Sequence, residues 1–230
     1  NVTVSNVGVA TDLTNGNSGV ISIVGTLGFG EANAVFDADG AGAGQLVLVS
    51  SADSPAIDGR IGTIPAASSN VSGNFTVQRY VSSENRIWRY IASPVVGATV
   101  AQLKAVIPVT GTFTDPSDGS SSPPCTGCVT TSPSLYYYDE STQAYVAYPA
   151  SGLASAAALT NARGYSTFFR HTGLGAVGTV VLSFRGTNPS PAGANLPVAA
   201  AANGYSLIGN PYPSAINWAN AAGWSARTNF

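Results

Sequence analysis

Few residues in this 230-residue chain are equipped for chemistry, and each group has a plainer reading beside it. The single histidine, His171, would have to be the general base of a Ser-His-Asp hydrolase. No G-x-S-x-G elbow or comparable nucleophile signature accompanies it, so a strand-end or surface histidine is expected. Asp139 and Glu140 are adjacent carboxylates, whereas glycosidase pairs come from separate elements across a cleft. They sit inside "YYYDESTQAYVAY", which reads as a hairpin turn. "DADGAGAG" (37–44) faintly suggests a calcium loop, but it continues with Gly and Ala instead of oxygen ligands. A Gly-rich hairpin connection is expected there, and the same reasoning covers Asp115 and Asp118.

Cys125 and Cys128 lie in "DPSDGSSSPPCTGCVTTSPS". A zinc site needs four ligands, and a thioredoxin-like pair needs a βαβ context that this Ser/Pro/Gly loop lacks. A small local disulfide ring is expected, which points outside the cytoplasm. Asn1, Asn70 and Asn74 match the N-x-Ser/Thr glycosylation pattern. No cofactor is called for.

Composition narrows the partners. Charged residues make up 9% of the chain and net charge is −2, with one lysine, Lys104. Soluble domains average about 25% charged residues. The electrostatic footprint of a nucleic-acid binder is missing, as is a polybasic patch for membrane surfaces. No run approaches the roughly 20 apolar residues of a spanning helix, so no membrane insertion is expected. With no methionine, the chain reads as a processed form or a fragment.

The elements that would position any site are short strands punctuated by Gly, Asn, Asp, Ser and Pro. Candidates include "NVTVSNVGVA", "GVISIVGTL", "QLVLVSS", "NFTVQRYV", "IWRYIASPV", "SLYYYDE", "AYVAYP", "GYSTFFRH", "GTVVLSFRG" and "GYSLIG". Helix is expected only at "TVAQLKAV" and in a turn that Ser214 would cap. No βα alternation supports a parallel sheet, so the expected fold is all-β, an antiparallel, jelly-roll-like β-sandwich. The texture changes near residues 66–73. Residues 1–72 form a small-residue, strand-rich region, and residues 73–230 a β-sandwich module holding every Trp and Tyr. Tyr136, Tyr138, Tyr145 and Tyr148 punctuate one hairpin of that module. One face of the hairpin must be core; the other could present rings to sugars or to a protein, although cross-strand pairing of aromatics is the default.

In the second region three phrases stand in order: Val77-Gln78-Arg79-Tyr80, then Trp88-Arg89-Tyr90 with Ser93-Pro94-Val95, and finally "LIGNPYPSAINW" from Leu207 to Trp218. This set resembles a module of large secreted surface proteins of the Bacteroidetes type, many exported by the type IX route. The resemblance implies an extracellular β-sandwich in a surface or adhesive setting, with further strands after the closing phrase, and it carries no catalytic residues. The closing phrase itself reads as a corner. Asn210 and Tyr212 precede Pro211 and Pro213, which forces both toward extended geometry. One of these proline bonds is a candidate for cis, and Tyr212 and Trp218 are expected to tuck onto the sandwich.

These readings converge on a non-enzymatic, extracellular structural or adhesive cell-surface protein, a glycoprotein subunit of a filament or surface assembly. The partners expected on this reading are further copies of the chain and surface glycans. Val2, Val4, Val7 and Val9 would supply a donor strand to a neighbouring copy. The alternative is a carbohydrate-binding module of a secreted multi-domain enzyme.

Overall fold

The computed structural model describes residues 2–4, 11–12, 19–39, 44–51, 58–65, 70–82, 86–112, 131–152, 156–169, 180–189 and 204–219. The described chain is strand-rich, and its helix, α1 (Val100–Lys104), falls within the expected "TVAQLKAV".

The first nine strands run in three turns of three. The first turn is β1 (Val2–Val4), β2 (Thr11–Asp12) and β3 (Val20–Ile23). The second is β4 (Thr26–Phe29), β5 (Val35–Asp37) and β6 (Gln45–Leu48), and the third is β7 (Arg60–Ile61), β8 (Asn70–Ser72) and β9 (Asn74–Val81). Corresponding strands stack in parallel as β1-β4-β7, β2-β5-β8 and β3-β6-β9. The region is thus a three-sided parallel coil, a β-solenoid, and not the antiparallel arrangement expected from the sequence. Parallel pairing ordinarily needs a helical crossover. Here the chain reaches the next parallel strand by winding once around the coil, so no helix is needed.

Between the first two turns every face pairs residues 25 positions apart: Val2 with Leu27, Thr11 with Phe36, Val20 with Gln45. Constant spacing on three faces keeps the same positions inward, and Ile23, Leu27, Phe36, Leu46, Leu48 and Val71 are all buried. The third turn departs from this spacing at its corners. Its last corner, between β8 and β9, is the single residue Gly73 at φ +74°, a left-handed conformation suited to glycine. The Asp39 carboxylate fixes that corner by accepting from the Asn74 backbone N–H at 2.8 Å and its side-chain amide at 3.2 Å. Those bonds, the backbone one foremost, hold the Asp39 pKa below the ordinary carboxylate value.

β9 turns the parallel coil into an antiparallel fold. One edge pairs in parallel with β6 through Thr76 and Val77, while all eight of its residues pair with β14 (Val180–Thr187) in antiparallel register. Sheet bonding therefore runs unbroken from β3 to β14. The outer edge of β14 is covered at its C-terminal end, at Arg185 and Thr187. Val96 and Thr187 exchange backbone hydrogen bonds at 3.0 and 2.9 Å. Gln102 of α1 brackets Arg185, donating to its carbonyl and accepting from its N–H. That amide acts as a one-residue surrogate strand, a direct way to close an exposed edge.

A second antiparallel sheet has the order β10-β13-β11-β12, built from β10 (Ile87–Ile91), β11 (Leu135–Asp139), β12 (Ala144–Ala147) and β13 (Tyr165–Phe169). On β13 and β14 alternate residues are buried: Tyr165, Thr167 and Phe169, then Val180, Leu182 and Phe184. All of these but the polar Thr167 share one hydrophobic core with the interior of the solenoid. The expected strand "GYSLIG" is reduced to one bridge, Ile208 with Arg163. Of "NVTVSNVGVA", Val2 and Val4 lie in β1, already paired with Leu27 and Phe29; Val7 and Val9 lie outside the described residues.

Candidate functional site

Strand alternation sorts the aromatics of the second sheet onto two faces. Tyr137 and Tyr165 point to the core with Leu135 and Phe169. Trp88, Tyr90, Tyr136, Tyr138, Tyr145 and Phe168 occupy the other face. Register brings them together: Trp88 pairs with Phe168 and Tyr138 with Tyr145, while Ser166 lies between Tyr90 and Tyr136. Trp88 stands 5.2 Å from the Phe168 ring and 5.6 Å from Tyr136, and Tyr138 meets Tyr145 edge-on at 5.2 Å. The small Ser166 leaves room for two long side chains to meet over the sheet, and the Tyr90 and Tyr145 hydroxyls share a hydrogen bond at 2.9 Å. That bond raises the Tyr145 pKa to about 12. The Arg86 guanidinium lies 5.5 Å from the Phe168 centroid.

This face is open. Trp88 is 47% exposed, Tyr145 48% and Tyr90 66%. Ring packing within a sheet normally hides such surface; here the rings pair and Trp88, Tyr90 and Tyr145 still remain exposed. Tyr136, Tyr138 and Tyr145 of the expected contact set belong to the face. Tyr148 does not: it follows β12 on the core side, tilted against Tyr165 at 5.3 Å and edge-on to Tyr137 at 5.9 Å. Its hydroxyl donates to the Ala158 carbonyl, and burial raises its pKa. Trp88, Tyr90 and Phe168 were absent from that set. The Trp-x-Tyr spacing on an expected strand was the signal, since alternate residues share a face.

Asp139 and Glu140 form the hairpin turn. The Asp139 carboxylate accepts from the Ser141 hydroxyl at 2.7 Å and its backbone N–H at 2.9 Å, and these bonds lower its pKa. Glu140 is buried and its carbonyl accepts from the Gln143 amide. The same Gln143 side chain accepts from the Tyr138 hydroxyl at 3.2 Å and the Tyr205 N–H at 2.9 Å, seating Tyr205 beside the aromatic face.

The "GNPYPS" segment is a corner, with its anchors distributed differently from expectation. Pro211 and Pro213 are the buried residues, whereas Trp218 is 42% exposed. The Asn161 amide donates to the Pro211 carbonyl at 2.9 Å and to Ser93 at 3.1 Å. The Ile61 N–H donates to the Pro213 carbonyl at 3.0 Å, tying the corner to the third solenoid turn. Asn210 accepts from the Tyr212 N–H and donates to the Ser214 carbonyl, a local loop that replaces the expected helical turn. The cis proline bond among the described residues is Tyr148–Pro149, not one of the corner's.

Between this corner, the third turn and the end of β10 lies a cleft of about 460 Å³, lined by Asp58, Arg60, Arg79, Tyr90, Asn210 and Tyr212 among others. The Arg79 guanidinium is held by the carbonyls of Gln78 at 2.7 Å and Gly59 at 3.3 Å, and burial lowers its pKa while the Asp58 charge opposes that shift. Arg60 Nε donates to Thr26 Oγ1 at 3.1 Å. Tyr90 belongs to both cleft and aromatic face, so the two are continuous.

Among the described residues no three His, Cys, Asp or Glu side chains are grouped to hold a metal ion, and no helix is long and apolar enough to cross a membrane. His171, Cys125, Cys128, Asn1, Asp115 and Asp118 lie outside the described residues. Asn70 is part-buried and accepts from the Asn188 amide at 2.8 Å, while Asn74 is exposed at the Gly73 corner. No protein-family model, curated protein or solved structure matches the chain.

Proposed function

We propose that the chain is a non-enzymatic, extracellular adhesive protein of the cell surface that contacts glycans through the aromatic face of the β10-β13-β11-β12 sheet. The observation that carries this reading is the cluster of Trp88, Tyr90, Tyr136, Tyr138 and Tyr145, of which Trp88, Tyr90 and Tyr145 are exposed. A sugar ring offers an apolar C–H face and a hydroxyl rim, and amphipathic aromatic side chains complement both. The low charge of the chain and its resemblance to secreted Bacteroidetes-type surface modules support an extracellular setting. In the finer fold reading, residues 73–230 form an antiparallel, jelly-roll-like sandwich of the β14-β9 and β10-β13-β11-β12 sheets, carried on the strand-rich region 1–72. Exposed Asn74 is the better glycosylation candidate of the two described sequons. The same face would serve a carbohydrate-binding module of a secreted multi-domain enzyme. Polysaccharide pull-down with the wild-type chain and Trp88→Ala tests the contact surface.

A second reading is self-assembly by strand addition. β1, β2 and β3 each stand at the edge of their sheet, and Val20 and Val24 on that turn are 57% and 52% exposed. A second copy pairing with these edges would extend the coil and yield a filament.

A further inference from the structure

We propose that Tyr90 and Tyr145 form an oxidative modification site, at which a one-electron oxidant of the peroxidase–peroxide class joins the two rings in a dityrosine cross-link. The inference does not depend on what the aromatic face contacts. The two residues are 55 positions apart, on β10 and β12, the outermost strands of their sheet. Their hydroxyls still meet at 2.9 Å, across the two strands that lie between. Solvation alone does not call for this pairing. Tyr90 is 66% exposed and Tyr145 48%, so water can satisfy either hydroxyl. The fold instead holds two oxidisable phenols tip to tip, where a small oxidant reaches both.

The chemistry needs no group beyond the oxidant. Tyr145 is a neutral phenol at ordinary pH, its pKa raised to about 12, first by the Tyr90 hydrogen bond. Each ring loses one electron and its hydroxyl proton, leaving two neighbouring phenoxyl radicals. Their unpaired spins, shared between the oxygen and the ortho carbons, combine in one new ortho–ortho carbon–carbon bond. The two displaced ring hydrogens move as protons to the oxygens and restore both phenols. The protein loses two hydrogens, and one hydrogen peroxide takes them up to become two waters. Radicals held together on one chain combine ahead of radicals on separate copies. The ortho carbons adjoin the hydroxyl-bearing carbons, and the exposed rings have room to slide together. Tyr138, edge-on to Tyr145 at 5.2 Å, gives oxidation that starts elsewhere on the face a route to the pair. The sequence has no methionine, a side chain that peroxide otherwise consumes. β10 has no buried residue and pairs with β13, so a covalent tie to β12 secures a strand with little core behind it.

The test treats the dilute intact chain with a haem peroxidase and hydrogen peroxide, then reduces and alkylates it so that cysteine chemistry does not enter the mass. The monomer should lose the mass of two hydrogens, show dityrosine fluorescence and yield one linked peptide pair carrying Tyr90 and Tyr145. Tyr90→Phe and Tyr145→Phe should each lower the yield of the intramolecular link by about tenfold or more, while Tyr138→Phe keeps it. Both substitutions at the pair retain an exposed ring and should leave the unfolding midpoint of the untreated chain near wild type. Links that map to Tyr138 and Tyr145, or that form only between copies, overturn the proposal. So does an intramolecular yield that survives Tyr90→Phe, or oxidation of the tyrosines without any link. If a variant does not fold, the linked peptides of the wild type decide.

Discussion

The Tyr90–Tyr145 hydroxyl pair sets how the aromatic face behaves with pH. With the folded-state Tyr145 pKa at about 12, raised first by its hydrogen bond to Tyr90, Tyr145 stays protonated through neutral and mildly alkaline solution. A raised pKa means the folded chain holds this proton more tightly than the unfolded chain, whose tyrosine titrates near about 10. The stabilisation is therefore fully present below pH 10 and is lost as pH climbs from about 10 to about 12. Ultraviolet titration should show late ionisation of Tyr145 and of buried Tyr148, of which Tyr145 alone returns toward ordinary behaviour in Tyr90→Phe. At the same scale, Asp139 was legible as a turn residue because its neighbours Ser141, Thr142 and Gln143 favour turns. The structure supplies the Ser141 bonds that occupy its carboxylate. Asp58, Arg60 and Arg79 were not legible as a group. Nothing in their spacing announces that the third turn and the corner bring them to one cleft.

Among the elements, β9, β11, β13 and β14 could be read from period-two alternation of large apolar and aromatic residues, because each is backed by a core, whereas β10, with no buried residue, was legible from its aromatic and β-branched content alone. β7 and β8 are two and three residues long, too short for a period to register. The solenoid was missed for a related reason. The 25-residue spacing holds only between its first two turns, where it is kept in register while residue identity drifts: Val4 pairs with Phe29 and Val20 with Gln45. Stacking at the solenoid corner depends on Gly59, where an added Cβ would lie 2.5 Å from the Ile23 carbonyl and 2.6 Å from the Val49 nitrogen. Gly59→Ala should lower stability by about 1–3 kcal/mol, read by denaturant unfolding. The corner makes a contrasting prediction. Asn161→Ala removes two hydrogen bonds and strands the Ser93 and Pro211 carbonyls, at about 1–3 kcal/mol. Trp218→Ala should cost less, since that ring is 42% exposed; a larger loss for Trp218 would show that the corner is anchored by its tryptophan.

For the molecule as a whole, two surfaces are left to do work: the open edges of the first solenoid turn and the aromatic face with its cleft. Assembly through the first predicts a concentration-dependent rise in mass by light scattering, abolished when residues 1–10, including β1, are deleted. A full-length chain that stays monomeric at high concentration removes that reading. The central claim concerns the second surface and is tested most directly by glycan affinity in the Trp88→Ala/Tyr136→Ala double variant, compared with wild type by calorimetry on the same oligosaccharides. Both side chains lie on the outer face, so the account predicts an unfolding midpoint close to wild type and at least a tenfold loss of affinity. A double variant that keeps its fold and binds glycan as tightly as wild type would contradict it.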